Sequence, residues 1–537
     1  MAAEWKICLA KPQMACEEFE MGHYKVFCWG RPLMINADGY WDDLYTVARQ
    51  IINRSIDFDK LHGFFKILIE NTETGELTLA GDNAGSQFFF IDEENMRVSD
   101  SLLKLKESRK QVTPDYEAAS RFLLESRIFT DSTLIEGIRV TDKDYVYMVK
   151  NGRGVLRISK NLTPFHEKCH RITLKDFMDA CTERISESEI RTVLTGGTDN
   201  RAVLAHLLRL KKRTACILSG RDENPDVFTA KKIALKMNLR LDIYNPDQRS
   251  ENWIEEGFWF GDGIYDTVLS YRHLRLKDLA CKYTGVKYIF GGVGGEFYKN
   301  DFCRFIRNRY FLRSVTPGTL AGDIFNNHAA VPEWFGKKAM EGLKAEHKEV
   351  QRLISVFNKG RLLCRCNSAG YLKLTKSMSA VTNNYSRYCT KIDPLMDRDI
   401  VAGASNDSAF SHCMYVWQRK QISEVNKPLS KLETDQGLTC SMRMTDLFCD
   451  WVKMMSVYAR YALNKIRGKK NPVFDYWDED YRQLTKSDLY KKSVRRCYEL
   501  GLIASREPES IPLKARGRVA TLGMLFDAET ADDYIKG

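Results

Sequence analysis

Two patterns of apolar spacing divide the chain. Up to about residue 150 the apolar positions alternate or fall in short blocks, at 6–9, 23–29, 64–69, 76–80, 86–91 and 145–149. Turn residues at 71–75 and 82–85 separate several of these blocks, so the pattern predicts strands, with helical patches at 41–53 and 115–124. The expected unit is a sheet-rich α+β domain packed on a neighbour. Residues 165 to 185 turn polar and helical. Beyond them the spacing switches to strand and helix in alternation: strands at 192–194, 214–219, 239–244 and 286–290, helices at 200–210 and 274–283, and a helix carrying Val227, Ala230, Ile233, Ala234 and Met237 on one face. Such alternation predicts a parallel sheet, whose ligands bind at the carboxyl ends of its strands. After residue 300 the periodicity is helical, at 341–357, 411–425 and 445–466, with no repeat. The predicted division is 1–165, 166–310 and 311–537.

Composition narrows the class. With 44% hydrophobic and 28% charged residues in 537, the chain is globular and long enough for several domains. No run of about 18 apolar residues occurs, and the first residues lack the apolar core of a signal peptide, so a cytoplasmic protein with no membrane contact is expected. Fifteen cysteines without a spaced framework suit free thiols. Cys364/Cys366, Cys169/His170 and His412/Cys413 do not match zinc spacing. The net charge of +11 would suit nucleic acid, but the basic clusters at 211–213 and 465–470 read as solvated faces, and no nucleic-acid partner is expected.

The chemistry concentrates in one stretch. Residues 191–194 form an apolar run that enters Thr195, Gly196 and Gly197, and Asp199 and Asn200 then open an amphipathic segment. Strand, tight turn and helix in that order offer free N–H groups to an anion. A carboxylate beside such a site makes sense if a divalent cation bridges it to phosphate. Neither the G-x-x-x-x-G-K-[ST] form nor a G-x-G-x-x-G after the first strand of the sheet is present. A second glycine-rich cluster, 291–296, ends another predicted strand and carries its own acid, Glu296. Two carboxylates converging from two strand ends can hold magnesium on ATP phosphates.

Over nearly its whole length the sequence resembles the asparagine synthetase-like ATP-dependent amidoligases, which include asparagine synthetases, β-lactam synthetases and lasso-peptide cyclases. Residues 195–200 are similar to the family's Ser-Gly-Gly-x-Asp-Ser signature, 291–296 to its Ser-Gly-Glu-Gly-x-Asp loop, and 392–397 to its Arg-x-Pro-Phe-Leu-Asp segment. Residues 420–426 resemble the lysine-bearing helix that follows, and 61–67 and 79–90 look like remnants of a glutaminase-type domain. The resemblance implies an N-terminal glutaminase-like (Ntn-type) sandwich, then an α/β adenine-nucleotide-binding parallel-sheet domain of PP-loop type with a helical C-terminal part. It implies ATP and Mg2+ as cofactors. A carboxylate would be activated as an acyl-adenylate with loss of pyrophosphate, and an amine would then displace AMP. Asp199 and Glu296 would be magnesium ligands. Thr195, Gly196, Gly197 and Asn200 would cradle pyrophosphate, Val193 would border the nucleotide, and Ile217 and Gly292 would lie near its adenosine. Lys420 is the candidate for the lysine that stabilises adenylation, with Arg419 and Lys427 fitting equally by spacing.

The departures from the family matter as much. Removal of the initiator methionine would expose Ala2 where the glutaminases present a cysteine nucleophile, so no glutaminase activity is expected. Val293 stands where asparagine synthetases carry a Glu that handles the ammonia proton, and a valine cannot accept one. Glu296 replaces Asp, one methylene longer and still an oxygen ligand. The expected substrates are a small-molecule or peptide carboxylate and an amine, with a partner protein or peptide possible on the N-terminal domain. An intramolecular lactam or macrolactam synthetase and an inactive nucleotide-binding scaffold are the alternatives.

Overall fold

The computed structural model describes residues 4–35, 41–152, 154–167, 172–282, 285–299, 301–302, 315–327, 330–357, 359–407, 411–466 and 478–527. Ala2, Cys169, His170 and residues 467–470 of the second basic cluster lie outside them. The molecule is mixed α/β, with one antiparallel, one mixed and one parallel sheet and a helical C-terminal part.

Among the described residues, eleven strands come from the N-terminal third: β1 (Lys6–Cys8), β2 (Cys16–Met21), β3 (Tyr24–Ile35), β4 (Trp41–Asp42), β5 (Leu61–Asn71), β6 (Leu77–Gly81), β7 (Phe90–Asp92), β8 (Arg97–Ser99), β9 (Ile138–Val140), β10 (Tyr145–Lys150) and β11 (Gly154–Ser159). The larger sheet runs β11-β10-β6-β5-β3-β2 with β4 on β3, and the smaller β1-β8-β7-β9. Period-two alternation explains the layering. Phe27 and Trp29 of β3 join Leu68, Leu79 and Tyr147 in facing Phe89, Ile91 and Val98 of the small sheet's segment. Val26 and Cys28 point the other way, under the helix Leu44–Ile52, with Ile67, Ile69 and the helical Val47, Ala48 and Ile51. The block expected at 86–91 is strand only from Phe90, because Ser86–Phe89 spend their polar groups elsewhere. Ser86 donates to Asp82, and the Phe88 N–H donates to Asn383 at 3.1 Å.

The parallel sheet is built from β12 (Ile190–Val193), β13 (Ala215–Ser219), β14 (Leu241–Tyr244), β15 (Tyr288–Phe290) and β16 (Thr390–Ile392), ordered β14-β13-β12-β15-β16 with every pairing parallel. Helices Asp199–Arg209, Pro225–Met237 and Thr267–Cys281 lie between its first four strands in the chain. The fifth strand comes from beyond residue 310 and was not expected from the sequence. Chain order runs outward from β12 through β13 to β14 and then jumps back across β12 to β15. The switch point therefore lies between β12 and β15, where such sheets open a crevice at their carboxyl edge.

One long helix, Leu362–Tyr385, joins the N-terminal sheets to this one. Lys66 is fully buried in the sandwich and donates to Asn383 Oδ1 at 2.9 Å, Lys376 donates to Asp142 at 3.3 Å, and the Tyr385 hydroxyl donates to the His273 carbonyl at 2.8 Å. A single apolar cluster carries Phe90 and Phe122 of the first third, Trp253 and Phe258 of the middle, and Val519 and Leu522 near the end. The helix expected over 411–425 is broken. Residues 413–415 form a 3-10 turn, Met414 and Tyr415 have φ of 50° and 60°, and the α-helix is Val416–Ser423. No helix among the described residues is long and apolar enough to cross a membrane.

Three histidines are held neutral by burial, His206 and His347 with pKa lowered to about 4 and His273 to about 3. Their folded values lie below the unfolded one, so the unfolded chain binds more protons as pH falls. Their stabilisation is complete above pH 6.5 and is lost as pH drops through about 4. Asp266, raised by burial to about 6, opposes this over the lower part of that window, and Asp82, Asp262, Glu296 and Glu346, raised by burial as well, oppose it too. The contribution of one histidine is therefore read by difference: between pH 7 and pH 4.5 the melting temperature of His206→Gln is expected to fall less, or rise more, than that of the wild type. A pH profile unchanged by the variant would contradict this account of His206.

Candidate active site

The carboxyl ends of β12 and β15 lie side by side, and each runs directly into a glycine-containing loop. Beyond β12, Thr195–Thr198 lead into the helix Asp199–Arg209, whose cap residue Thr198 makes no side-chain capping bond. The first N–H groups of that helix therefore keep their affinity for an anion. The loop is fixed from behind. Gly196 N–H donates to Asp226 at 2.8 Å, its carbonyl accepts from Asp435 N–H at 3.2 Å, and the fully buried Arg201 reaches the same carbonyl at 3.1 Å.

Beyond β15, Gly292 and Gly295 press against that first turn. A Cβ on Gly292 would collide with the Asn200 amide, and one on Gly295 with the Asp199 carboxyl. Only glycine permits this approach. Its result is that Asp199 and Glu296 face one another from two strand ends. Burial, with the Asp199 charge adding to it, raises the Glu296 carboxyl above its usual range. Glu296 Oε2 is shut off from solvent and has no hydrogen-bond partner among the described residues. Asp199 is partly compensated. Lys299 Nζ lies 2.5 Å from its Oδ2, and Gln418 Nε2 donates to its Oδ1 at 3.3 Å. Burial works against a charge on Lys299, but Asp199 and Glu296 outweigh it and hold the ammonium above the usual lysine range.

A cavity of about 260 Å³ opens at this junction, lined by Val193, Thr195, Gly197, Asp199, Asn200, Ile217, Gly292 and Glu296. Those are all but two of the residues predicted from sequence. Gly196 lies behind the lining, between Asp226 and Asp435. Lys420 is the other exception: it is exposed and absent from the cavity wall. The two other candidates fare no better. Arg419 is fully buried in a 2.9 Å pair with Asp450, and Lys427 is exposed.

The lysine of the lining is Lys391 instead, and it comes with Asp393. They sit two apart on and just after β16, so the period-two rule puts both on the cavity side. Lys391 is ion-paired to Asp393, whose other oxygen accepts from Val293 N–H at 3.3 Å. The pair therefore ties the β15 loop to β16. His273 and Tyr385 complete the inner wall, and Asn200 Nδ2 donates to Thr195 Oγ1 at 3.0 Å while its own Oδ1 is buried without a partner. Asp393 falls in the 392–397 segment and Lys391 immediately precedes it, but nothing in the sequence marked these residues as part of a strand of the sheet.

What this arrangement can do follows from its charges. Orphaned helix N–H groups suit phosphate, and a buried carboxylate with a free oxygen suits a hard cation. No cluster of three or more His, Cys, Asp or Glu able to hold a metal occurs among the described residues. Asp199 and Glu296 supply two carboxylates, so an ion held between them would take the rest of its ligands from water and phosphate. Searches against protein-family models and against curated proteins returned no match to the chain.

A carboxylate pushed up by burial and a like charge strains the protein that holds it. Replacing Glu296 by Gln removes the charge at nearly constant shape and is expected to leave stability without ligand at pH 7 undiminished or raised. Chemical denaturation measures this directly. A loss of about 2 kcal/mol or more would mean that the carboxylate serves the fold rather than a ligand.

Proposed function

We propose that the chain is an ATP- and magnesium-dependent ligase that activates a carboxylate as an acyl-adenylate and couples it to an amine, in the manner of the asparagine synthetase-like family. The observation that carries this reading is the pair of strand-end carboxylates at the switch point, one with a buried oxygen left unsatisfied. In this reading Thr195, Gly197 and the amides opening the helix Asp199–Arg209 bind the pyrophosphate part of ATP. Val193, Ile217 and Gly292 border the adenosine. Asp199 and Glu296 hold magnesium, which supplies neutralisation of the phosphate charge. The substrate carboxylate attacks the α-phosphorus and pyrophosphate leaves. The amine then attacks the acyl carbon, and AMP departs.

Lys391 takes the role first assigned to Lys420, since its ammonium lines the cavity and Asp393 fixes its direction. The position of Val293 gives no base for an incoming ammonia, so the amine is delivered by the substrate or from solution. Within this reading the N-terminal sandwich is a glutaminase-type domain serving as scaffold or substrate module. Closure of a lactam or macrolactam is the form of the reaction that needs no ammonia supply.

One observation favours a second reading. The Asp199–Lys299 pair supplies a protein cation where the ligase would place a metal, as a nucleotide-binding scaffold without activity would require. Exchange of labelled pyrophosphate into ATP separates the two. With magnesium and a panel of carboxylates and peptides, the ligase reading expects exchange that Asp199→Ala abolishes, Lys391→Met lowers by about a hundredfold, and Lys420→Ala leaves intact. ATP binding with no exchange for any substrate would favour the scaffold. Loss of exchange in Lys420→Ala but not in Lys391→Met would reverse the lysine assignment.

A further inference from the structure

The helix Met444–Ile466 is amphipathic in the reverse sense. The one fully buried residue among its described side chains is an acid. Asp450 is buried, accepting from Arg419 Nη2 at 2.9 Å and from Thr439 N–H and Oγ1 at 3.0 Å each, and Arg419 is itself fully buried. Its outward side is apolar: Met444 is 79% exposed, Phe448 66%, Trp451 48%, Val452 47% and Met455 50%. Single exposed apolar residues need no explanation, but a contiguous stripe does. Phe448 and Trp451 stack on each other with centroids 6.2 Å apart, so the stripe is a continuous surface.

The spacing Met444, Phe448, Trp451, Met455 steps by four, three and four, which is the seam of a two-helix heptad pairing. The positions flanking that seam, Thr445, Leu447, Val452 and Met454, carry no charge. Two copies laid seam to seam therefore bring no like charges together, although each chain carries +11. An interfacial membrane helix would carry lysines and arginines at those flanks. The exposed part of the stripe amounts to on the order of 600 Å² per copy, which doubled clears the size of a specific interface.

We propose that this stripe is the contact face of a homodimer, in which the helix Met444–Ile466 packs against the same helix of a second copy. Asp450 and Arg419 hold the helix by a residue outside its seam, and no described residue of the helix lines the strand-end cavity. The proposal does not depend on the ligase reading. Size-exclusion chromatography with light scattering tests it on the full chain across the micromolar range. The expected mass is twice 62.0 kDa, falling to 62.0 kDa in the double variant Phe448→Glu/Trp451→Glu with circular dichroism and melting unchanged. Lys453→Glu, on the same helix outside the seam, keeps the dimer. A wild-type mass of 62.0 kDa throughout, or a dimer that survives the double variant, would overturn the proposal. Binding of the monomer to vesicles of anionic lipid, lost in the double variant, would assign the stripe to a membrane surface instead and overturn it equally.

Discussion

The site depends on one close approach, that of the β15 loop to the first turn of the helix after β12. Glycines at 292 and 295 let the two backbones meet, and the meeting forces Asp199 and Glu296 into each other's field. Two carboxylates and the single ammonium of Lys299 leave a net negative charge in a partly closed crevice. A fold does not gain stability from such an arrangement. The proposed uptake of a cation with its phosphates would account for it, and the remaining geometry keeps the two loops in place.

That support comes from three directions. Arg201, with no exposed surface, gathers the carbonyls of Gly196, Leu432 and Glu433 and so fixes the first loop to a distant segment. Asp393 pins the second loop through Val293 and holds Lys391. The N-terminal sheets reach the same strand: buried His62 meets Asp397 at 3.3 Å, just beyond β16. The helix Leu362–Tyr385 links all of this to the sandwich through Lys66 and Asn383. The N-terminal third is thus a structural buttress for the strand that supplies Lys391, whatever else it binds.

Much of this was legible in the sequence, for stated reasons. Alternation of strand and helix from 190 to 290 is a strong pattern, and of the nine residues that the resemblance suggested for nucleotide or cation, eight line one cavity and Gly196 lies behind its wall. β16 was not legible because it has three residues and lies about a hundred positions after its partner β15. The helix Leu362–Tyr385 hid because it is buried on most sides and rich in Ser, Thr, Asn and Gly, so no apolar stripe marks it. Helix phase keeps Lys420 off the cavity wall. Gln418 faces Asp199, and a residue two further along lies about 200° round the helix, out in solvent. The 3-10 turn at 413–415 that sets this phase leaves no spacing signal of its own.

The central claim is that Asp199 and Glu296 form a cation-dependent clamp for nucleotide phosphates. Titration calorimetry with a non-hydrolysable ATP analogue tests it most directly, with magnesium present and with magnesium chelated. The account predicts binding that weakens by about tenfold or more on chelation, and a comparable loss in Glu296→Gln even when magnesium is present. Binding of equal strength with and without the cation, or a Glu296→Gln protein that binds as the wild type does, would contradict it.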